Sequence, residues 1–145
     1  MLSGKDVLVK ARTGSGKTVA YAIPTIQKLL SLSNSTDGIK AVILVPSKEL
    51  CMQTYTCFKS LTKYCSNVVN CVALYDANVQ QQKGYLNAYT DVVIATPKLL
   101  LSHLQLHSDN LLKTIHTFII DEADLVDFSL FDLISSFFLM DTRQM

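Results

Sequence analysis

The sequence predicts an α/β fold, a parallel sheet covered by helices on both faces, and three observations predict it. Short runs rich in β-branched residues alternate with longer stretches whose apolar residues recur every three to four positions. Apolar residues make up 49% of the chain and charged ones only 17%, a balance suited to strands buried on both sides. The length, 145 residues, fits one domain with a real core.

Taken in order, residues 6–10 (DVLVK), 40–45 (KAVILV), 68–74 (VVNCVAL), 91–95 (DVVIA) and 117–121 (TFIID) read as five strands. Helical spacing falls on 18–30, 48–64, 80–87, 97–106 and 128–138. Strand and helix in alternation imply right-handed crossovers and hence parallel pairing. Residues 31–38 (SLSNSTDG) have the composition of a surface loop between the first helix and the second strand. No internal repeat or low-complexity tract divides the chain.

The formal net charge is +1, which excludes the broad basic surface of a non-specific nucleic-acid binder and leaves any such contact to a few placed groups. Cys51, Cys57, Cys65 and Cys71 form no C-x-x-C pair and follow no signal peptide, so reduced thiols in an intracellular protein are expected. His103 and His107 lie four apart but lack a third ligand at metal-site spacing, and a partly exposed helix face is the expected reading. Charged or polar residues interrupt every apolar run before it reaches bilayer length, so a soluble chain with no membrane partner is expected.

The sharpest signal is residues 11–18, ARTGSGKT, between the first strand and the first helix. Gly14 and Gly16 allow the backbone to wrap around phosphates, so that the N–H groups of Arg12, Thr13, Gly14, Ser15, Gly16, Lys17 and Thr18 form the cofactor-binding loop at a helix N-terminus. Lys17 reaches the β and γ phosphates, and the Thr18 hydroxyl stands where Mg²⁺ binds, as the Walker A pattern requires. Ala11 takes the place of the pattern's first Gly. The second signal is Asp121-Glu122-Ala123-Asp124 at the end of an apolar strand, which delivers carboxylates to the ligand-binding edge of an open α/β sheet. Asp121 is the candidate Mg²⁺ ligand, and Glu122 the group that orients and polarises an attacking water. Lys17, Asp121 and Glu122 are thus the candidate catalytic residues, with ATP and Mg²⁺ as cofactors.

Residues 11–18 and 121–124 resemble motifs I and II of the DEAD-box RNA helicases, whose first motif also begins with Ala. Pro46-Ser47-Lys48-Glu49-Leu50 resembles motif Ia, usually P-T-R-E-L, and Thr96-Pro97 the start of motif Ib, usually T-P-G-R, with Lys98 and Leu99 departing from it. The resemblance implies that Pro46, Ser47, Lys48, Thr96 and Pro97 contact an RNA backbone, sequence-tolerantly, and that Asp124 serves interdomain coupling. Lys48 keeps the cation of the usual Arg without its bidentate fork. Ser47 also reads as an ordinary helix cap. The family's Gly-Gly pair after the third strand is replaced by residues 74–78, LYDAN, and no RNA contact is carried over there.

What the resemblance implies for the whole is a RecA-like P-loop domain that couples ATP hydrolysis to local RNA duplex opening. The phrases LSGKDVLVKARTGSGKT, VPSKELCMQTY and IIDEADLV resemble the nucleolar subfamily that assists large-ribosomal-subunit assembly, implying a nuclear, nucleolar location and pre-ribosomal partners. By the same resemblance the adenine-reading Q motif belongs upstream of Leu2, motif III just past Met145, and a second RecA-like domain with its arginine finger elsewhere. The strand of motif III would lie between 6–10 and 117–121, leaving both without that neighbour here. A non-catalytic RNA- or protein-binding scaffold is the alternative. A small-molecule P-loop kinase fits residues 11–18 but accounts for neither 46–50 nor 121–124.

Overall fold

Four short strands pair in parallel: β1 (Ala41–Leu44), β2 (Cys71–Leu74), β3 (Val92–Ala95) and β4 (Thr117–Ile120), in the spatial order β2-β3-β1-β4. Ala41 stands opposite Val92 on one side and Thr117 on the other, so β1 is central. Among the described residues α1 (Lys17–Ser31), α2 (Lys48–Leu61) and α3 (Pro97–His107) accompany them. A 3₁₀ turn, Ala123–Leu125, follows β4. The computed structural model describes residues 1–12, 14–32, 38–65, 68–75, 89–107, 114–126, 132 and 134.

The alternation of side chains along β1 divides the core in two. Ala41, Ile43 and Val45 join Tyr21, Ala22, Ile26 and Leu29 of α1 and Cys51 and Phe58 of α2 in one cluster. Val42 and Leu44 join Leu100 and Leu104 of α3, with Ile134, in the other. Each buried Ile, Leu or Phe contributes roughly 1.5–3 kcal/mol by leaving water. The apolar stripe on α1 recurs at Tyr21, Ala22, Thr25, Ile26 and Leu29, one face at helical period. Ser47 starts α2 from an extended backbone, its hydroxyl accepting the Leu50 N–H at 3.2 Å. Hydrogen bonds from its own backbone N–H and then from Ser47 hold the Glu49 carboxyl below its ordinary range. At the other end the Thr62 N–H and hydroxyl both donate to the Phe58 carbonyl at 2.8 Å.

At the amino edge of the sheet an ion pair joins the strands. The Lys40 ammonium lies 2.6 Å from Asp91 Oδ1, with side chains only 9% and 15% exposed. The second Asp91 oxygen accepts the Asn70 N–H at 2.9 Å.

The parallel sheet with helices on both faces stands as the sequence predicts, and four of the five strands are found. The fifth is a correction: residues 6–10 form no strand, and Leu8 is 98% exposed. An extended segment becomes a strand only when a neighbour satisfies its N–H and C=O groups. Residues 6–10 and β4, which the resemblance separates by another strand, do not pair with one another, and β4 is half-buried along its length. The second predicted helix ends at Leu61 rather than 64, and the third strand starts at Cys71 rather than 68, because residues 62–65 and 68–69 turn through local bonds from Cys65 to Thr62 and from Val68 and Val69 to Cys65. The expected helix over 80–87 lies outside the described residues, and of that over 128–138 only Asp132 and Ile134 are described, both helical. His103 also departs from expectation. It is fully buried, because α3 turns the face carrying Leu100, His103 and Leu104 inward; the His107 side chain lies outside the described part.

All four cysteines are free thiols, Cys51 and Cys71 buried and Cys57 and Cys65 partly so. Cys51 Sγ donates to the Ile94 carbonyl at 3.3 Å. Burial pushes its thiol up to about 11 and that of Cys71 up to about 12. Because both folded values are raised, the stability they contribute is intact below pH 9 and lost as pH climbs through 11 to 12. The expected result is a urea midpoint that declines above pH 9, together with labelling of Cys51 and Cys71 by a thiol reagent at pH 8 only on unfolding. Rapid labelling of all four thiols in the folded chain would contradict this.

Candidate functional site

The candidate residues gather where β1, β3 and β4 end. In a parallel sheet the loops at the carboxyl ends of the strands line the ligand crevice. Asp121 and Glu122 follow β4, Pro46, Ser47 and Lys48 follow β1, and Thr96 and Pro97 follow β3.

The phosphate loop opens α1. Gly14 and Gly16 have φ of 75° and 85°, values that side-chain-bearing residues seldom adopt. Nothing lies within 4 Å of where a Cβ would stand on either, so the backbone there is open to a bulky anion. Ser15 N–H donates to Arg12 carbonyl at 3.3 Å, and the Lys17 ammonium to Ala11 carbonyl at 3.1 Å. Lys17 thus folds back along the loop it opens. Thr13 lies outside the described residues, while Arg12 is exposed and Thr18 half-buried.

Tyr21 joins this loop to the carboxylates. It stands four residues after Lys17, one turn along the same face of α1. Its hydroxyl donates to Asp121 Oδ2 at 2.9 Å, and the Glu122 N–H donates to Asp121 Oδ1 at 2.9 Å. Burial, reinforced by the Asp121 charge, pushes the Tyr21 phenol well above its usual range, so it remains a donor. Glu122 has φ 49° and ψ 51°, left-handed, the one such non-glycine among the described residues. That conformation costs about 1–2 kcal/mol, and strain of this kind concentrates at working sites. Asp124 is exposed in the 3₁₀ turn.

A second group forms a shallow cleft of about 270 Å³, lined by Pro46, Ser47 and Lys48, by Thr96, Pro97 and Lys98, and by Leu125 and Val126 beyond the carboxylates. All five residues expected to meet RNA therefore share one surface. Lys48 and Lys98 are exposed on it. The Lys48 ammonium also lies 5.3 Å from the centre of the Tyr75 ring.

Tyr21 and Tyr75 are the two residues at these sites that sequence reasoning missed. The spacing of Tyr21 from Lys17 was a usable signal, but its pairing with Asp121, a hundred positions away, was not visible in the pattern. Tyr75 carries no signal of its own.

A glycine-cradled loop opening a helix, with strand-borne carboxylates tied to that same helix, defines a P-loop nucleotide-binding domain of RecA-like α/β architecture. Residues 1–137 match the DEAD/DEAH box helicases, and the chain belongs to that family. It is similar to the probable ATP-dependent RNA helicase ddx56 of Dictyostelium discoideum, 47% identical over 86% of this chain and 19% of that protein. Against the ATP-dependent RNA helicase DBP9 of Cryptococcus neoformans it is 44% identical over 87% of this chain and 21% of the relative. The chain thus spans about a fifth of the length of these relatives. A DEAD box protein from Methanococcus jannaschii superposes with a TM-score of 0.76 at 31% identity, over 92% of this chain and 36% of that one. A hypothetical ATP-dependent RNA helicase from Sulfolobus tokodaii does so with a TM-score of 0.73 at 32% identity, over 94% and 38%. The motif resemblance is borne out at the level of family and fold.

Proposed function

We propose that this chain binds ATP with Mg²⁺ and presents an RNA-backbone surface, as one RecA-like domain of an ATP-dependent RNA helicase. The observation that carries the reading is the 2.9 Å bond from Tyr21 to Asp121, which ties the helix that begins at the phosphate loop to the carboxylates after β4. The open backbone at Gly14 and Gly16 and the donor set of Thr18 and Asp121 suit a nucleotide with its divalent cation. Bound Mg²⁺ supplies neutralisation of the phosphate charge.

The chain's own groups do the rest. Backbone N–H groups from Arg12 to Thr18 hold phosphate oxygens, and Lys17 exchanges its bond to the Ala11 carbonyl for them. Thr18 and Asp121 hold the cation, Tyr21 and the Glu122 N–H fix the Asp121 carboxylate, and Glu122 orients the attacking water. Asp124, exposed beyond them, couples to a second domain. Hydrolysis that waits on charge from such a domain, worth about 10³ to 10⁵ in rate, is slow in this chain by itself. Ser47, Lys48 and Thr96, with Pro46 and Pro97 shaping the cleft, contact the sugar-phosphate backbone. In the whole protein this machinery serves local RNA duplex opening, in the nucleolus and on pre-ribosomal particles, as the resemblance implies.

The test is fluorescence anisotropy with several unrelated RNA oligonucleotides over a range of salt, beside calorimetric titration with Mg-ATP. Backbone contacts carry no sequence information and release counterions. RNA affinity is therefore expected to be weak, to vary little with sequence and to fall steeply with salt, while Mg-ATP binds in its own right. Strong preference for one RNA sequence, or no binding of Mg-ATP, would overturn the reading.

A further inference from the structure

We propose that Tyr75 is a positioning residue of the RNA-facing cleft, its ring holding the Lys48 ammonium where a phosphate is to be met. The inference rests on the RNA reading of that cleft and names a residue outside its assigned contacts. Tyr75 directly follows β2, and the order β2-β3-β1 puts it at the same sheet edge from which Thr96 and Pro46 emerge. It is 38% exposed, and the Lys48 Nζ lies 5.3 Å from its ring centre, within the range of about 6 Å over which a ring face attracts a cation. Among the described residues Lys48 makes no ion pair.

The need for such a device follows from the chemistry of lysine. An arginine presents a rigid planar fork, whereas lysine is a point charge on four rotatable carbons that must be ordered when it binds. A ring beside the ammonium narrows its range before the ligand arrives, so less conformational freedom is lost on binding. The ring face, not the hydroxyl, does this, and a phenylalanine would serve as well.

The experiment is RNA binding by anisotropy, against salt, for the 145-residue chain and four variants, each first shown by circular dichroism to be folded. Lys48→Ala is expected to weaken binding and to flatten the salt slope by about one contact. Tyr75→Leu should weaken it by about two- to fivefold, the range for an exposed cation–ring contact. Tyr75→Phe should restore wild-type affinity, and the Lys48→Ala, Tyr75→Leu double variant should bind as Lys48→Ala alone. Losses that multiply in the double variant would mean that the ring touches RNA independently of Lys48, and the proposal would be wrong. A Tyr75→Leu chain that binds as wild type while Lys48→Ala is impaired would also defeat it and leave the RNA reading intact. If Lys48→Ala changes neither affinity nor slope, both fall together.

Discussion

Asp91→Ala is expected to lower the unfolding free energy by about 3 to 5 kcal/mol, the usual cost of stranding one member of a buried ion pair. The substitution leaves the Lys40 ammonium, in a side chain only 9% exposed, without its counter-charge at 2.6 Å. It also removes the acceptor of the Asn70 N–H. The three residues sit at or just before the amino ends of β1, β2 and β3, so the loss loosens three strands together. Against a total stability of about 5 to 15 kcal/mol, this is a large fraction of what holds the domain folded. Urea unfolding followed by circular dichroism measures the difference. Replacing both partners, Lys40→Met with Asp91→Leu, should return most of it, since an apolar pair of similar bulk leaves no buried charge. A loss below about 1 kcal/mol for Asp91→Ala would mean that water reaches the pair and that it behaves as a surface bridge.

Lys17→Ala should weaken Mg-ATP binding about 10- to 100-fold, as removal of hydrogen bonds to a charged ligand worth about 1.5–3 kcal/mol predicts. Its effect on stability should be near zero. Among the described residues Lys17 donates to the Ala11 carbonyl, in an exposed loop, and that carbonyl has water as a substitute. Calorimetric titration and thermal melting of the same preparation separate the two effects. Unchanged nucleotide affinity would remove Lys17 from the phosphate site, and a lowered melting temperature would make its role structural.

The elements legible in the sequence were those whose signal is local. The glycines and Lys-Thr of residues 11–18, the apolar run into Asp121-Glu122, and the buried AVIL of β1 each announce themselves within a few positions. The failures were non-local. DVLVK carries the same β-branched signal as the true strands, yet a strand is a relation between two segments, and no local pattern reports whether the partner is there. His103 lies four residues from another histidine, and that spacing drew attention to metal chemistry; its burial depends on which face α3 turns to Val93 and Leu44. Tyr21 and Tyr75 owe their interest to groups reached only through the fold, Asp121 and Lys48.

The order β2-β3-β1-β4 also sets the course of folding. The central strand is made early in the chain, but its neighbours, which supply Val92 and Thr117 opposite Ala41, come far later. Until residues 117–120 have been synthesised, one edge of this wholly apolar, buried strand has nothing to pair with. Long-range pairing of this kind is slow, because loop closure must be completed before contacts form. A nascent chain therefore keeps one edge of Ala41–Leu44 unpaired until Ile120 has been made, and an unpaired strand edge is a template on which another chain can add.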